Sequence, residues 1–265
     1  MELYNVMLKK SILEKILASM ARSVVQTYRP IIIGVTGSVG KTSTRLAIAA
    51  VLGKKYRVRT AVKNYNTEIG LPLTILGLPH YGRNVLSWFF GFVRVYAKFI
   101  LTLSEYPEVL VLEYGIDKPG DMDKLLAIAK PNIAVVTAIG DVPAHVEFFN
   151  DVQEVIEEKR KIVEALSSDG TAILNHDDYA VFDMQEKTHA HVVTFGFEEN
   201  ARVRITNYAL RTTKDEQLGD IPQGIGFKLT YGGSTVPVRL DHTFGEPQAY
   251  SAAAAASAGT RGSNR

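Results

Sequence analysis

Gly37, Gly40, Lys41 and Thr42 stand directly after the β-branched run Ile31-Ile32-Ile33 and directly before the apolar-periodic run Leu46-Ala-Ile-Ala-Ala-Val-Leu52. That order predicts a strand, a glycine-rich loop and a helix in immediate succession. Glycine tolerates φ > 0 and close backbone approach, so successive N–H groups from Gly37 to Gly40 can turn toward an anion while the helix offers its positive N-terminus. The chemistry this suits is a cradle for a nucleoside triphosphate. Lys41 would lie along the β and γ phosphates and Thr42 would hold magnesium, with Ser38, Val39 and Ser43 completing the loop. An ammonium about 4 Å from a phosphate charge gains roughly 4 kcal/mol at an effective dielectric near 20, several times the worth of an exposed ion pair. This separates Lys41 from Lys54 and Lys55. The strict G-x-x-x-x-G-K-[ST] pattern would need glycine where Val35 stands, so the match is to the shorter T-G-x-x-G-K-T.

Such a loop works only on a rigid scaffold. Beyond the first strand, the pattern predicts a helix over 42–53, a strand near 57–62, short and long helices over 69–77 and 84–104, and a strand over 108–114. It continues with a helix from Asp121, strands at 133–138, 171–175 and 191–195, and helices at 150–167 and from 178. Strands alternating with helices define an α/β fold: a mostly parallel sheet covered on both faces, with ligands at the carboxyl ends of its strands. Residues 202–240 change character, with short β-like runs at Val203–Tyr208, Gly226–Tyr231 and Thr235–Leu240, which predict a small antiparallel appendage before the alanine-rich helix Ala249–Ala258.

Two strand ends carry further candidates. Glu113 closes the hydrophobic strand 108–114, where nucleotide-hydrolysing folds keep a magnesium ligand, although a strand-end glutamate can also serve no ligand. His145 lies in the loop after strand 133–138, open to a metal, a phosphate or a solvated role. Lys159, in Lys159-Arg160-Lys161 of helix 150–167, reads by composition as part of a solvated basic face.

Composition narrows the rest. The 265 residues carry a net charge of +2 and no basic stripe interleaved with aromatics, which gives no indication of nucleic acid. The absence of cysteine excludes disulfides and thiolate metal sites and fits a reducing compartment, and Glu14 and Lys15 interrupt the only apolar run that could be a signal peptide. A cytoplasmic protein is expected. Two apolar helices qualify this: residues 3–28 align Leu8, Ile12, Ile16 and Met20 with Leu13, Leu17 and Val24, and 85–103 includes Trp88-Phe89-Phe90 but also Arg94 and Lys98. Each either packs on its own domain or a partner protein, or lies on a membrane surface.

Taken in order, the motifs TGSVGKTS (36–43), NYNTEIGLPL (64–73), LEYG (112–115), AIGDVPAHVEFF (138–149), the lysine at 159 and ILNHDD (173–178) resemble the Mur ligase family and, within it, the MurF type. The resemblance implies ATP-dependent amide formation between a carboxylate of a sugar-peptide and an amine, in peptidoglycan-precursor or related cell-wall peptide synthesis. It implies two magnesium ions, one on Thr42 and Glu113 and a second on His145, with Lys159 carried as a carbamate that helps place the second. Lys41, His145 and Lys159 become the catalytic candidates, and Asn64, Asn66 and Thr67 match a loop on the substrate side that turn formation or capping would explain equally. The expected organisation is an N-terminal helix over 1–29 and a central ATP-binding domain over 30–265, without the family's uridine-binding and closing domains. Gln248 and Ser251 stand where the family keeps asparagines near adenine. Two alternatives remain: a folylpolyglutamate-synthetase-like ligase, whose loop typically reads G-K-G-S, and a P-loop regulatory or assembly module without ligase activity.

Overall fold

The computed structural model describes residues 2–61, 65–82, 84–101, 106–140, 148–215 and 219–262. Six strands alternate with helices: β1 (Ile31–Thr36), β2 (Val58–Thr60), β3 (Val109–Glu113), β4 (Ile133–Val136), β5 (Thr171–Asn175) and β6 (His191–Gly196). They pair in parallel, and three more strands, β7 (Val203–Asp215), β8 (Gly219–Tyr231) and β9 (Ser234–Asp241), extend the same sheet in the spatial order β2-β3-β1-β4-β5-β6-β7-β8-β9. All residues of β3 and β5 are buried, as expected of parallel strands covered on both faces, whose sequences read as unbroken apolar runs.

The helices are α1 (Glu2–Tyr28), α2 (Lys41–Leu52), α3 (Gly70–Leu76), α4 (Val85–Leu101), α5 (Asp121–Ile128), α6 (Val152–Glu164), α7 (Tyr179–Phe182) and α8 (Glu246–Gly262). On one face of the sheet, Leu17, Ala21 and Val24 of α1 share a core with Leu71 and Leu73 of α3, Leu125 of α5 and Ile162 of α6. On the other, Ala249, Ala253, Ala254 and Ala258 of α8 pack with Ile48 and Leu52 of α2, alanine letting the two helices approach closely. The stripe of α1 is therefore used by its own fold, with Ile12 and Ile16 left half-exposed. Among the described residues no helix is long and apolar enough to cross a membrane.

Local chemistry sets the helix ends. The Asp151 side chain accepts from the Glu154 N–H while the Glu154 carboxylate accepts from the Asn150 N–H, a reciprocal cap of the kind worth about 1 kcal/mol that starts α6. Gly77, at φ 67°, terminates α3 in the left-handed conformation that a side chain would resist.

The ribbon departs most from the sequence pattern. β7 and β8 each run thirteen residues, well past the short runs at 203–208 and 226–231, because their polar outer halves pair with one another through the backbone without any apolar periodicity. β7 pairs in parallel with β6, so the appendage is continuous with the main sheet. β2 is three residues long, α4 ends at Leu101, and α7 continues into a 3-10 turn over Asp183–Lys187.

Candidate nucleotide site

The strand order reverses at β1, which lies between β3 and β4. In an open parallel sheet that reversal splays the connections leaving the strand tips and opens a crevice there. Three connections meet at it: the loop from Gly37 to Gly40, the end of β3 at Glu113, and residues 137–140 after β4.

The loop has the backbone its glycines permit. Gly37 (φ 140°) and Gly40 (φ 83°) both occupy positive φ, and a Cβ on Gly37 would collide with the Thr137 hydroxyl. The amides are not all turned to the crevice, however. The Ser38 and Val39 N–H groups donate to the Ala138 carbonyl at 2.6 and 3.2 Å, which corrects the expectation that every amide from Gly37 to Gly40 faces an anion. The amides available to one are those opening α2, at Lys41, Thr42 and Ser43, which no intrahelical carbonyl can satisfy. The Ser38 hydroxyl is buried without a hydrogen-bond partner among the described residues, a polar atom that a ligand in the loop would satisfy. Lys41 reaches back to the Ser38 carbonyl (3.2 Å), and burial lowers its pKa against the opposing pull of Glu113 and Asp117.

Glu113 is the hub beneath the loop. Its Oε2 accepts from Thr42 Oγ1 (3.1 Å) and Arg45 Nε (3.2 Å), and its Oε1 accepts from Asn66 Nδ2 (3.3 Å). The Arg45–Glu113 pair is 2% exposed on both sides, and the Arg45 guanidinium also donates to Thr60 Oγ1 (2.8 Å) and the Ala61 carbonyl. The Arg45 and Glu113 charges thus neutralise each other in the interior, where a bare charge would be costly. Asn66 is brought to this cluster through the Gly115 N–H, which donates to its carbonyl (2.9 Å), and a Cβ on Gly115 would press on the Asn66 amide at 2.8 Å. Thr67 lies one residue further on, its carbonyl accepting from Leu71 N–H ahead of α3. Asn64 and His145 lie outside the described residues.

Lys159 is not on a solvated face. It is 3% exposed, and its Nζ donates to the Gly37 carbonyl at 3.0 Å, so α6 delivers an amine to the underside of the phosphate loop. Burial first, and the Lys41 ammonium second, push its pKa down to about 7, with Asp117 and Glu158 opposing. Glu158 is turned elsewhere, accepting from Met122 N–H (2.8 Å) and Lys161 Nζ (2.8 Å).

Sequence reasoning missed two contributors, Arg45 and Asp117, and for Asp178, the last residue of ILNHDD, it left a capped turn as an equal explanation. Arg45 sits three residues after Thr42, on the same face of α2, and that spacing was the available clue. Asp117, in the turn after β3, influences both Lys41 and Lys159. Asp178 does more than cap a turn: its Oδ2 accepts from the Ile139 (2.7 Å) and Gly140 (3.0 Å) amides while its Oδ1 accepts from Val181 N–H (3.1 Å). It thereby ties the loop after β4 to the loop after β5.

Beside the loop lies a cavity of about 720 Å³, lined by Val39, Gly40, Asn175, Asp177, Tyr250 and Ser251 among others. Tyr250 donates to Asp177 Oδ2 (2.7 Å), which also accepts from the Phe197 amide (2.6 Å). Burial, reinforced by Asp177, raises the Tyr250 pKa, keeping the phenol a donor. Ser251 borders the cavity but is occupied with Thr44 (3.1 Å) and the Pro247 carbonyl (2.9 Å), and Gln248 is not among its lining residues.

Magnesium takes hard oxygen donors in octahedral geometry, typically one or two carboxylates or hydroxyls completed by phosphate and water. Thr42 and Glu113, 3.1 Å apart at the start of α2, fit that demand. Among the described residues no cluster of three His, Cys, Asp or Glu side chains could hold a metal ion by itself.

A parallel sheet with a glycine-rich loop at its point of strand reversal, a strand-end carboxylate beside the loop threonine and an adjoining cavity define a P-loop nucleotide-binding core. The Mur ligase middle domain family matches residues 35–86 and 94–258, and the chain belongs to that family. It is 34% identical over 176 residues to the UDP-N-acetylmuramoyl-tripeptide--D-alanyl-D-alanine ligase of Bacillus subtilis, covering 65% of this chain and 33% of that protein. With the enzyme of the same name from Synechocystis it shares 31% over 168 residues, 63% of this chain and 31% of the other. The structure resembles the MurF ligase of Thermotoga maritima, solved in complex with ADP, at a TM-score of 0.70 and 26% identity, covering 94% of this chain and 49% of that one. The chain thus spans about a third of the length of these curated relatives, and corresponds to their central domain.

Proposed function

We propose that this chain is the ATP-binding core of a MurF-type carboxylate–amine ligase, comprising a domain over 30–265 preceded by the helix of residues 1–29. In the reaction, an oxygen of a substrate carboxylate attacks the γ phosphorus of ATP, ADP leaves, and an acyl phosphate forms. An amine then attacks the acyl carbon, phosphate departs, and the amine's proton passes to base. The substrates belonging to this reading are a sugar-peptide carboxylate and a dipeptide amine met in the cytoplasm.

The observation that carries the proposal is the placing of Lys159, a buried amine with its pKa near 7, against the Gly37 carbonyl of the phosphate loop. An ordinary structural lysine would keep its ammonium in water. A neutral amine at neutral pH can take up carbon dioxide as a carbamate, which would turn a cation into an anion beside the loop. The loop amides of α2 and Lys41 would bind the β and γ phosphates, Thr42 and Glu113 would hold one magnesium, and His145 with the Lys159 carbamate would serve the second. Bound magnesium supplies neutralisation of oxygen charge as the phosphoryl group moves. Arg45 and Asn66 would fix the Glu113 carboxylate, and Asn64, Asn66 and Thr67 would face the acceptor. The complex of the Thermotoga relative with ADP supports a nucleotide ligand, and the cavity bounded by Asp177 and Tyr250 beside the loop suits its base.

The test is titration of magnesium-ATP into the chain and its Lys41→Ala variant, followed by assay of ADP release with carboxylate and amine substrates in the full-length polypeptide. Lys41→Ala should abolish nucleotide binding, and ADP release should require both substrates. Unchanged affinity in the variant would refute the loop assignment, and nucleotide binding with release independent of the substrates would identify a binding module instead.

A further inference from the structure

Helix α4 presents an apolar face that stays exposed among the described residues. Its inner side is anchored: Trp88 is buried, donates Nε1–H to the Gly82 carbonyl (3.1 Å), and packs against His80, Tyr81 and Phe92, while Gly91 makes room for the Tyr81 ring. Its outer side carries Val85, Leu86, Phe89, Phe90, Val93 and Tyr96, with Leu86, Phe89 and Phe90 about three-fifths exposed. At 100° per residue these six fall within one continuous stripe, and Arg94 lies along its border. Isolated exposed apolar residues are ordinary, but two adjacent phenylalanines within such a stripe mark an interaction surface.

Charge identifies the occupant. From Ile69 to Ser104 the chain contains no Asp or Glu, whereas Arg83, Arg94 and Lys98 fall within the same stretch, in a protein whose 30 basic residues are nearly balanced by 28 acidic ones overall. An apolar, aromatic stripe bordered by Arg94, in a stretch of chain free of acidic residues, is suited to the headgroup region of an anionic bilayer, where aromatic side chains enter the interface and basic ones reach phosphate. At 17 residues, with its inner face tied to the fold through Trp88, α4 would lie on such a surface and not cross it. The family match breaks at residues 87–93, inside α4, so Phe89, Phe90 and Val93 fall outside the matched residues. The comparable stripe of α1 is buried in large part, Leu17, Ala21 and Val24 packing in one core with α3 and α5, while Ile12 and Ile16 stay half-exposed.

We propose that α4 is a peripheral membrane anchor that lays Leu86, Phe89, Phe90 and Val93 into an anionic phospholipid surface. This holds or fails independently of the ligase reading, because no residue of the patch belongs to the nucleotide site. The experiment is co-sedimentation of the full chain with phosphatidylcholine vesicles and with vesicles containing phosphatidylglycerol, supported by quenching of Trp88, the chain's only tryptophan, by brominated acyl chains. Binding should require the anionic lipid, weaken with salt, and fall at least tenfold in the double variant Phe89→Glu/Phe90→Glu. Ile12→Glu/Ile16→Glu on α1 should bind like the wild type, and all variants should keep the wild-type circular dichroism, since every changed side chain is exposed. Absence of sedimentation with anionic vesicles, equal binding to phosphatidylcholine alone, or an unaffected Phe89/Phe90 variant would each overturn the proposal. So would concentration-dependent self-association abolished by that variant, which would assign the face to a second copy of the chain.

Discussion

Replacing Lys159 by methionine should make the protein more stable at neutral pH. The ordinary lysine pKa is 10.5, and in the fold burial holds it near 7. Between those values the unfolded chain carries the proton and the folded chain does not, so stability rises with pH across this window, and the penalty is greatest below it. Each pH unit is worth about 1.4 kcal/mol, which gives a cost of about 4 kcal/mol at pH 7, falling by about 2 kcal/mol on going to pH 9. Methionine keeps the aliphatic length and removes the titration, but it leaves the Gly37 carbonyl without its donor, a loss of about 1–3 kcal/mol. The net expectation is a variant about 1–3 kcal/mol more stable at pH 7, with an advantage that shrinks by about 2 kcal/mol at pH 9. Urea unfolding followed by circular dichroism, in bicarbonate-free and metal-free buffer at pH 7, 8 and 9, measures both quantities. Identical pH dependence in the two proteins, or a methionine variant less stable at pH 7, would refute the reasoning.

Arg45→Ala leaves the Glu113 carboxylate in the interior without its ion pair and should cost about 3–5 kcal/mol in the same denaturation experiment, a loss below 1 kcal/mol showing that the pair is energetically neutral. Asp178→Ala should free the Ile139 and Gly140 amides, seen as faster hydrogen exchange at those two positions with β5 unchanged; undiminished protection would mean that the loop after β4 is held by other contacts.

The phosphate loop was legible because its chemistry is local: the glycines, Lys41 and Thr42 lie within a few residues of each other, and the apolar runs on either side fix strand and helix. Glu113 was legible for the same reason, as the last residue of an unbroken apolar strand. Arg45 was not, because a basic residue inside a helix reads as solvent-facing until the tips of β2 and β3 are seen to converge on it. Lys159 illustrates the point more sharply. Its neighbours Arg160 and Lys161 are on the outside of α6 in ion pairs with Glu164, Asp123 and Glu158, and only the rotation of the helix against β1 turns the first of three consecutive cations inward. The membrane question divided similarly: α1 and α4 both have apolar stripes, and only tertiary packing shows that Leu17, Ala21 and Val24 of α1 enter the core while Leu86, Phe89 and Phe90 of α4 stay exposed. The outer halves of β7 and β8 were unreadable because backbone pairing alone holds polar residues there.

The two margins of the sheet bear on how this molecule can assemble. β2 offers only three residues, and β9 carries Pro237, which has no N–H to give to an added strand. Neither border is a good template for lateral growth, so crowding at high concentration should not drive strand-by-strand polymerisation. Any lasting association must instead be made through side chains on a helix or loop face, where specificity can be encoded and point substitutions can switch it off.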